Sequence, residues 1–327
     1  MSRLVAGLVL LGCLGPGAAL AQTDEPPRPT DWTLEIGARL WATTGNSQFS
    51  HADADIAGRN PISDLHWRNM EAILPEVNLE LVWKRFVLLG TVGGNVIAGG
   101  NFEDDDFADR NREGRYSHTV STTKNGEIFY ANTDVGFRIA QGFMRSSTQM
   151  GYVDALIGFQ YWREHYEAWG IKGFLDTSFF VGGDGVVSRV RGNDIKIITH
   201  DFWYQSARLG IRYQVPIWGD WALKMKLIGL PYTKSRQEDI HWLRTDLKQD
   251  PSGRAKASGG VGMVLDGGIT YNFWRGLSAE LGLQYMKIDS NAGTETIFSV
   301  DEGPLRLRLH SITTERYGPY FGLLYKW

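Results

Sequence analysis

The sequence predicts an all-β protein, a ten-stranded antiparallel transmembrane β-barrel with long extracellular loops, and three observations carry that expectation. Apolar and charged residues alternate with period two along many short segments. The connections between those segments are alternately short and long, as in outer-membrane barrels. Past the first two dozen residues, no apolar run approaches the roughly 20 residues of a membrane helix.

The chain opens with Met1, Ser2 and Arg3, an apolar stretch from Leu4 to Leu14, and Ala19-Leu20-Ala21 before Gln22. That order is the signature of a secretory signal, residues 1–21, cut after Ala21. The alternative is lipoprotein cleavage before Cys13, which follows Leu10-Leu11-Gly12 and is the one cysteine of the chain. In either case the body of the protein has no disulfide to stabilise it. Residues 22–31, with Pro26, Pro27 and Pro29, read as a flexible lead-in, and residues 32–327 as one barrel without repeat or second domain.

In 33–41, Leu34, Ile36, Ala38 and Leu40 share one face, and Glu35, Gly37 and Arg39 the other. Val77, Leu79, Leu81 and Trp83 alternate with Glu76, Asn78 and Glu80 in the same way. So do Phe129 to Ile139 with Tyr130, Asn132, Asp134 and Arg138, and Ala207 to Val215 with Arg208, Arg212 and Gln214. A lipid-facing apolar side and a hydrated lumen accommodate this pattern, whereas a dry core would make the inward charges costly. Ten segments result, near 32–41, 76–84, 86–97, 128–140, 152–163, 204–215, 220–231, 261–273, 277–288 and 317–327. Short turns at Lys84-Arg85, 141–151, 216–219 and 274–276 belong to the periplasmic end. Long polar loops are expected over 42–75, 98–127, 164–203, 232–260 and 289–316, facing the cell exterior.

The 12 Trp, 13 Tyr, 15 Phe and 39 Gly in 327 residues suit aromatic belts at two membrane interfaces. A formal net charge of only −3 gives no reason to expect nucleic acid as a partner. A soluble sandwich also alternates, but it does not produce five cycles of long loop and short turn after an export signal.

Two polar constellations follow the third and seventh segments, and a closed barrel puts both at the same rim. Asp104, Asp105 and Asp106 form the first, and Asp239 with His241 the second. An imidazole held by a carboxylate can take a proton from water, and two neighbouring carboxylates cannot both ionise easily. The competing reading of the first is a solvated acidic run or a weak calcium site. For the second it is a chance pairing on a loop.

Several motifs resemble the omptins, ten-stranded outer-membrane endopeptidases. They are Asp64-Leu65-His66-Trp67-Arg68, Gly93-Gly94-Asn95, Gly99-Gly100-Asn101, Asp104 to Asp109, Tyr130-Ala131-Asn132 and Gly158-Phe159-Gln160, the last followed by Arg163, Tyr166, Ala168 and Gly170. The resemblance implies that His241, oriented by Asp239, activates a water for attack on a peptide carbonyl. Asp104 and Asp106 would hold that water or the developing oxyanion. It also implies lipopolysaccharide as a partner through Arg163, with Tyr161 standing where the family has an acid. Where the family uses acids to select basic side chains, this chain has Gln237 and Gly45, leaving Glu103 and Glu238 as substitutes. No metal or other cofactor is expected, lipopolysaccharide being the one possible requirement, and the barrel is expected to be a monomer acting on peptides or proteins. A passive channel and a non-catalytic adhesin on the same scaffold are the rival functions.

Overall fold

The computed structural model describes residues 32–52, 61–143, 147, 149–179 and 183–327. The expected signal segment and lead-in lie outside the described residues. Ten strands follow one another: β1 (Trp32–Ala52), β2 (Ser63–Trp83), β3 (Phe86–Phe107), β4 (Arg115–Phe143), β5 (Met150–Asp176), β6 (Val186–Trp218), β7 (Trp221–His241), β8 (Gly253–Trp274), β9 (Leu277–Phe298) and β10 (Pro304–Lys326). Each pairs antiparallel with its sequence neighbours, and β1 pairs with β10 to close the ring. Closure leaves no strand edge, the condition for spanning lipid with a sheet.

At one end the connections are tight, with Lys84-Arg85 between β2 and β3, and Arg275-Gly276 between β8 and β9. Both residues of the latter have positive φ, 30° and 86°, as a two-residue hairpin turn demands. At the other end the strands run well past the apolar segments, so the expected long loops are largely strand. The connectors there span only 53–62, 108–114, 177–185, 242–252 and 299–303. The sequence pattern missed these extensions because the apolar alternation marks only the lipid-facing band. Above it the outer face loses most of its apolar residues, and the apolar side chains that remain, such as Phe49, Leu65, Trp67 and Phe102, are buried on the inner face, so the lipid-facing signature stops while the ladder continues.

Outward Ile36, Leu40, Val77, Val135, Leu209 and Ile211 are exposed along the band. An aromatic girdle of Trp32, Trp83, Phe86, Trp218, Trp221 and Trp274 rings its tight-turn end, as an interface belt does. Inside, charges pair both between neighbouring strands and across the lumen. Arg39 reaches Glu76 at 2.6 Å and Asp266 at 3.0 Å, and its guanidinium lies 3.8 Å from the centre of the Tyr320 ring. Arg212 joins Glu80 and Asp154 at 2.6 and 2.8 Å, and Arg208 holds Asp134 at 2.7 Å. Above this network an aromatic layer fills the barrel, with Tyr130 stacked on Trp162 and Trp67 on Tyr166. Side chains therefore occupy the interior and give the upper chamber a floor.

Two strands change which residues face inward as they leave the band. In β3 the buried positions Val87 and Ile97 are odd-numbered, whereas Phe102 is even. The β2–β3 register breaks in between, beside Gly100, whose φ is +148° and where a Cβ would meet the Met70 sulfur at 2.4 Å. In β7, Ile228 and Leu230 are buried, then Thr233, Ser235, Gln237 and Asp239. Its registers with both neighbours shift around Pro231, which has no N–H to give the ladder. An extra residue at a bulge reverses every later side chain.

The cross-lumen pairs predict a measurable dependence. Arg39→Met should leave Glu76 and Asp266 as buried, underpaired carboxylates, a loss of about 3–5 kcal/mol. The temperature at which the folded, heat-modifiable band is lost on a gel should fall clearly. An unchanged transition would mean that these pairs do not hold the barrel.

Candidate functional site

The reversals in β3 and β7 decide which acids enter the upper chamber. Asp104 and Asp106 turn inward from the end of β3, and Asp239 and His241 from the end of β7. With three strands between them on one side of the ten-strand ring, the two pairs stand nearly opposite at the same end. All four line one cavity of about 280 Å³, with Phe49, Leu65, Ile198, Leu247 and Ile297 among its apolar walls. Asp105 points the other way, to His118 at 2.7 Å and Arg115 at 3.1 Å. Alternation thus splits the acidic run, and its three carboxylates do not converge on a calcium-like centre. Among the described residues no cluster of His, Cys, Asp and Glu has the arrangement of metal ligands.

Asp239 is the anchor of the site. It is 4% exposed; its Oδ2 accepts the Gln237 amide at 2.8 Å and lies 3.4 Å from His200 Nε2. Its Oδ1 faces His241 Nε2 at 3.7 Å. That gap is longer than a hydrogen bond, and catalytic contacts often tighten only once substrate is bound. The His241 backbone N–H donates to Ser252 Oγ at 2.9 Å, which fixes the end of β7.

Electrostatics separate these groups, all of which lie beyond the membrane-spanning band. Burial alone would raise the Asp239 carboxyl, but His241 and His200 hold it well below the ordinary carboxylate range. Burial would also lower His241, and the Asp239 and Asp104 carboxylates together lift it above an ordinary histidine. Asp104 is pushed up to about 7, first by burial and then by Asp106 beside it. Asp106 rises too, mainly through burial, although the Ser63 and Ser117 hydroxyls and Arg189 pull it down. The site therefore sets an ionised Asp239 and a His241 of raised proton affinity against an acid pair that holds its proton more tightly than ordinary carboxyls.

Two residues at the back of the cavity carried no sequence signal. His51 of β1 and Glu295 of β9 approach to 3.3 Å. Burial lowers His51 to about 4, and burial with the Asp239 charge raises Glu295 well above its usual range. His200 of β6 was equally silent. Its register partner is Asp239, a pairing that becomes visible only once the strands are aligned.

Glu103 and Glu238, the expected substitutes for substrate-selecting acids, do not reach the cavity. Each is one residue out of phase with an inward neighbour and so lies on the outer wall. Glu103 pairs there with Arg68 at 2.7 Å, and Glu238 pairs with Arg236 and with Arg254. Gly45 has no room for a longer side chain, since a Cβ would meet the Glu315 carbonyl oxygen at 2.0 Å. Gln237 is fully buried beneath Asp239. Arg163 also sits on the outer wall, 2.9 Å from Asp201, with its guanidinium 5.9 Å from the Trp203 ring centre.

A raised carboxyl costs stability wherever it must ionise in the folded state. Between an ordinary carboxyl value of about 4 and the folded value of about 7 at Asp104, the native protein binds more protons than the unfolded chain, so stability falls as pH rises. Asp104→Asn removes that cost. The variant should melt above the wild type at pH 8, with the gain shrinking toward pH 4. A gain of equal size at both pH values would show that Asp104 ionises normally.

Comparison with known proteins bears on this site through the fold. The outer membrane protease OmpT from Escherichia coli matches with a TM-score of 0.73 at 13% identity, over 90% of this chain and 97% of that one. A Pseudomonas aeruginosa FadL homologue aligns at 7% identity over 90% of both chains with a TM-score of 0.23. No curated protein sequence matches. At 13% identity the first likeness establishes a shared barrel architecture, and the omptin resemblance read from the motifs is not matched by membership of an omptin sequence family. The family description Pom, Protochlamydia outer membrane protein, matches residues 41–316, which is most of the barrel. The chain belongs to the Protochlamydia outer membrane protein family.

Proposed function

We propose that this outer-membrane barrel is an endopeptidase of omptin type, with its cavity open to the cell exterior. The observation that carries the reading is the convergence of Asp104 and Asp106 from β3 with Asp239 and His241 from β7 on one partly apolar cavity. In this reading a water sits between the two pairs. Neutral His241 takes a proton from it as it attacks the peptide carbonyl, and Asp239 stabilises the imidazolium that forms. The proton kept by the Asp104–Asp106 pair is donated to the developing oxyanion. As the intermediate collapses, His241 gives its proton to the leaving amine and the Asp104–Asp106 pair takes its proton back from the hydroxyl, which restores the site. Arg163, beside Trp203 on the outer wall, is the proposed contact for a lipopolysaccharide phosphate.

The pair at the end of β7 gives the first test. His241→Ala should abolish cleavage and leave the heat-resistant barrel intact, because a rim side chain adds little to strand pairing. Asp239→Asn should lower the rate by on the order of 10²-fold or more, since an amide holds the imidazole without stabilising its charge. Cleavage of a peptide library by the refolded protein, with and without lipopolysaccharide, reads both variants. Wild-type turnover in the two variants would mean that the pair is ordinary loop surface and takes no part in the chemistry.

The pH dependence is the second. The rate should rise as His241 loses its proton and fall as the acid pair loses its own, which gives a bell with its alkaline limb near pH 7 or above. Asp104→Asn keeps a donor that cannot ionise, so the alkaline limb should flatten in that variant. An unchanged bell would assign that limb to another group.

Specificity is the third. Without charges at Gln237 and Gly45, the library should show cuts that are not confined to pairs of basic residues. Strict dibasic cleavage would show that another acid serves the pocket.

A further inference from the structure

Asp239 can orient His241 only if its own carboxylate is held, and the group that holds it from the neighbouring strand is a histidine with no other evident task. His200 on β6 stands directly opposite Asp239 on β7 in the strand register, and both turn inward. The His200 side chain is fully buried, with ring centres of Phe202 at 5.0 Å, Phe49 at 5.8 Å and Phe102 at 6.5 Å around it. From β2, across the chamber, the Trp67 indole Nε1–H donates to His200 Nδ1 at 3.0 Å.

An indole nitrogen is a donor only. His200 Nδ1 must therefore be bare, and in the neutral ring the proton sits on Nε2, the atom 3.4 Å from Asp239 Oδ2. The Gln237 amide reaches the same oxygen at 2.8 Å. His200 Nε2 has no hydrogen-bond partner among the described residues and faces this oxygen at 3.4 Å, while Oδ1, which has none either, faces His241 Nε2.

We propose that His200 is a positioning residue for the Asp239–His241 pair, locked by Trp67 in the tautomer whose N–H can only be given to the Asp239 carboxylate. The inference deepens the peptidase reading and rests on it for its catalytic part. A neutral donor fixes the carboxylate without placing a second positive charge beside it, whereas a cationic His200 would compete with His241 for Asp239. Burial opposes that charge. Other titratable groups bear on the chain as well. Asp239 is also felt by His51 of β1 and Glu295 of β9, His200 by Asp201 on its own strand, and His241 by Asp104 of β3 and Arg244 of the following connector.

The test is nitrogen-15 NMR of histidine-labelled full-length protein, folded in detergent micelles, titrated over about pH 5 to 8. In the wild type, His200 should keep a protonated Nε2 and a bare Nδ1 throughout. Trp67→Phe should release the lock and admit the other tautomer. His200→Phe, which suits the aromatic surroundings, should raise the His241 midpoint by about half a pH unit or more, since Asp239 no longer shares its charge with that donor. His200→Gln, which keeps an N–H, should restore most of the wild-type value. In peptide cleavage, His200→Phe should lower kcat about 10- to 100-fold with KM little changed, and His200→Gln should recover it. A protonated Nδ1 in the wild type, or an unchanged His241 midpoint in His200→Phe, overturns the inference whether or not peptides are cut. A wild type that shows the expected NMR behaviour and cuts no peptide would instead sink the peptidase reading and leave His200 as the holder of Asp239.

Discussion

A β-strand can send only every second side chain into a barrel, and the whole upper chamber depends on where that alternation is reset. In β3 the break beside Gly100 turns Asp104 and Asp106 inward and leaves Glu103 and Asp105 on the outer wall. In β7 the shift around Pro231 does the same for Asp239 and His241. Without these two irregularities the membrane band would be unaltered, but the acids would face outward. Bulges at such a level let one strand serve two faces, lipid below and cavity above.

The two halves of the interior then handle charge differently. In the membrane band most buried carboxylates meet a guanidinium or ammonium, as Asp134 meets Arg208 and Glu35 meets Lys224, while Glu280 accepts from the Tyr320 hydroxyl. Some of these pairs tie nearby strands, as Asp134 on β4 ties Arg208 on β6, and others span the lumen, as Glu35 on β1 reaches Lys224 on β7. In the chamber the described carboxylates outnumber the cations close to them, and burial raises the proton affinity of Asp104, Asp106 and Glu295. Asp239 is the exception, kept ionised by His241 and His200. A single stabilised anion among groups poised to give or take protons is the arrangement acid–base chemistry requires.

Much of this was legible in the chain. Strand number, order and tight turns follow from the alternation of residues such as Leu34, Ile36 and Leu40 with Glu35 and Arg39, because lipid and lumen impose opposite demands on adjacent positions. The strand extensions were not legible, since above the lipid the outward apolar face ends and the apolar residues, among them Phe49, Trp67 and Phe102, turn inward instead. Asp104, Asp106, Asp239 and His241 could be picked out by residue type and by their place just past two apolar segments. Glu103 and Glu238 could not be excluded without the phase of each strand, which a single bulge inverts. His200, His51 and Glu295 stayed hidden for a related reason, for their importance lies in the residue across the ladder or across the chamber rather than in any neighbour along the chain.

In the proposed reaction the two carboxylate-bearing pairs activate a water directly, without an acyl-enzyme. Cleavage of a susceptible peptide in oxygen-18 water containing hydroxylamine tests it most directly. The account predicts a new carboxyl terminus carrying solvent oxygen and no peptide hydroxamate. Hydroxamate formation, or the absence of cleavage by correctly folded protein with lipopolysaccharide present, would contradict it.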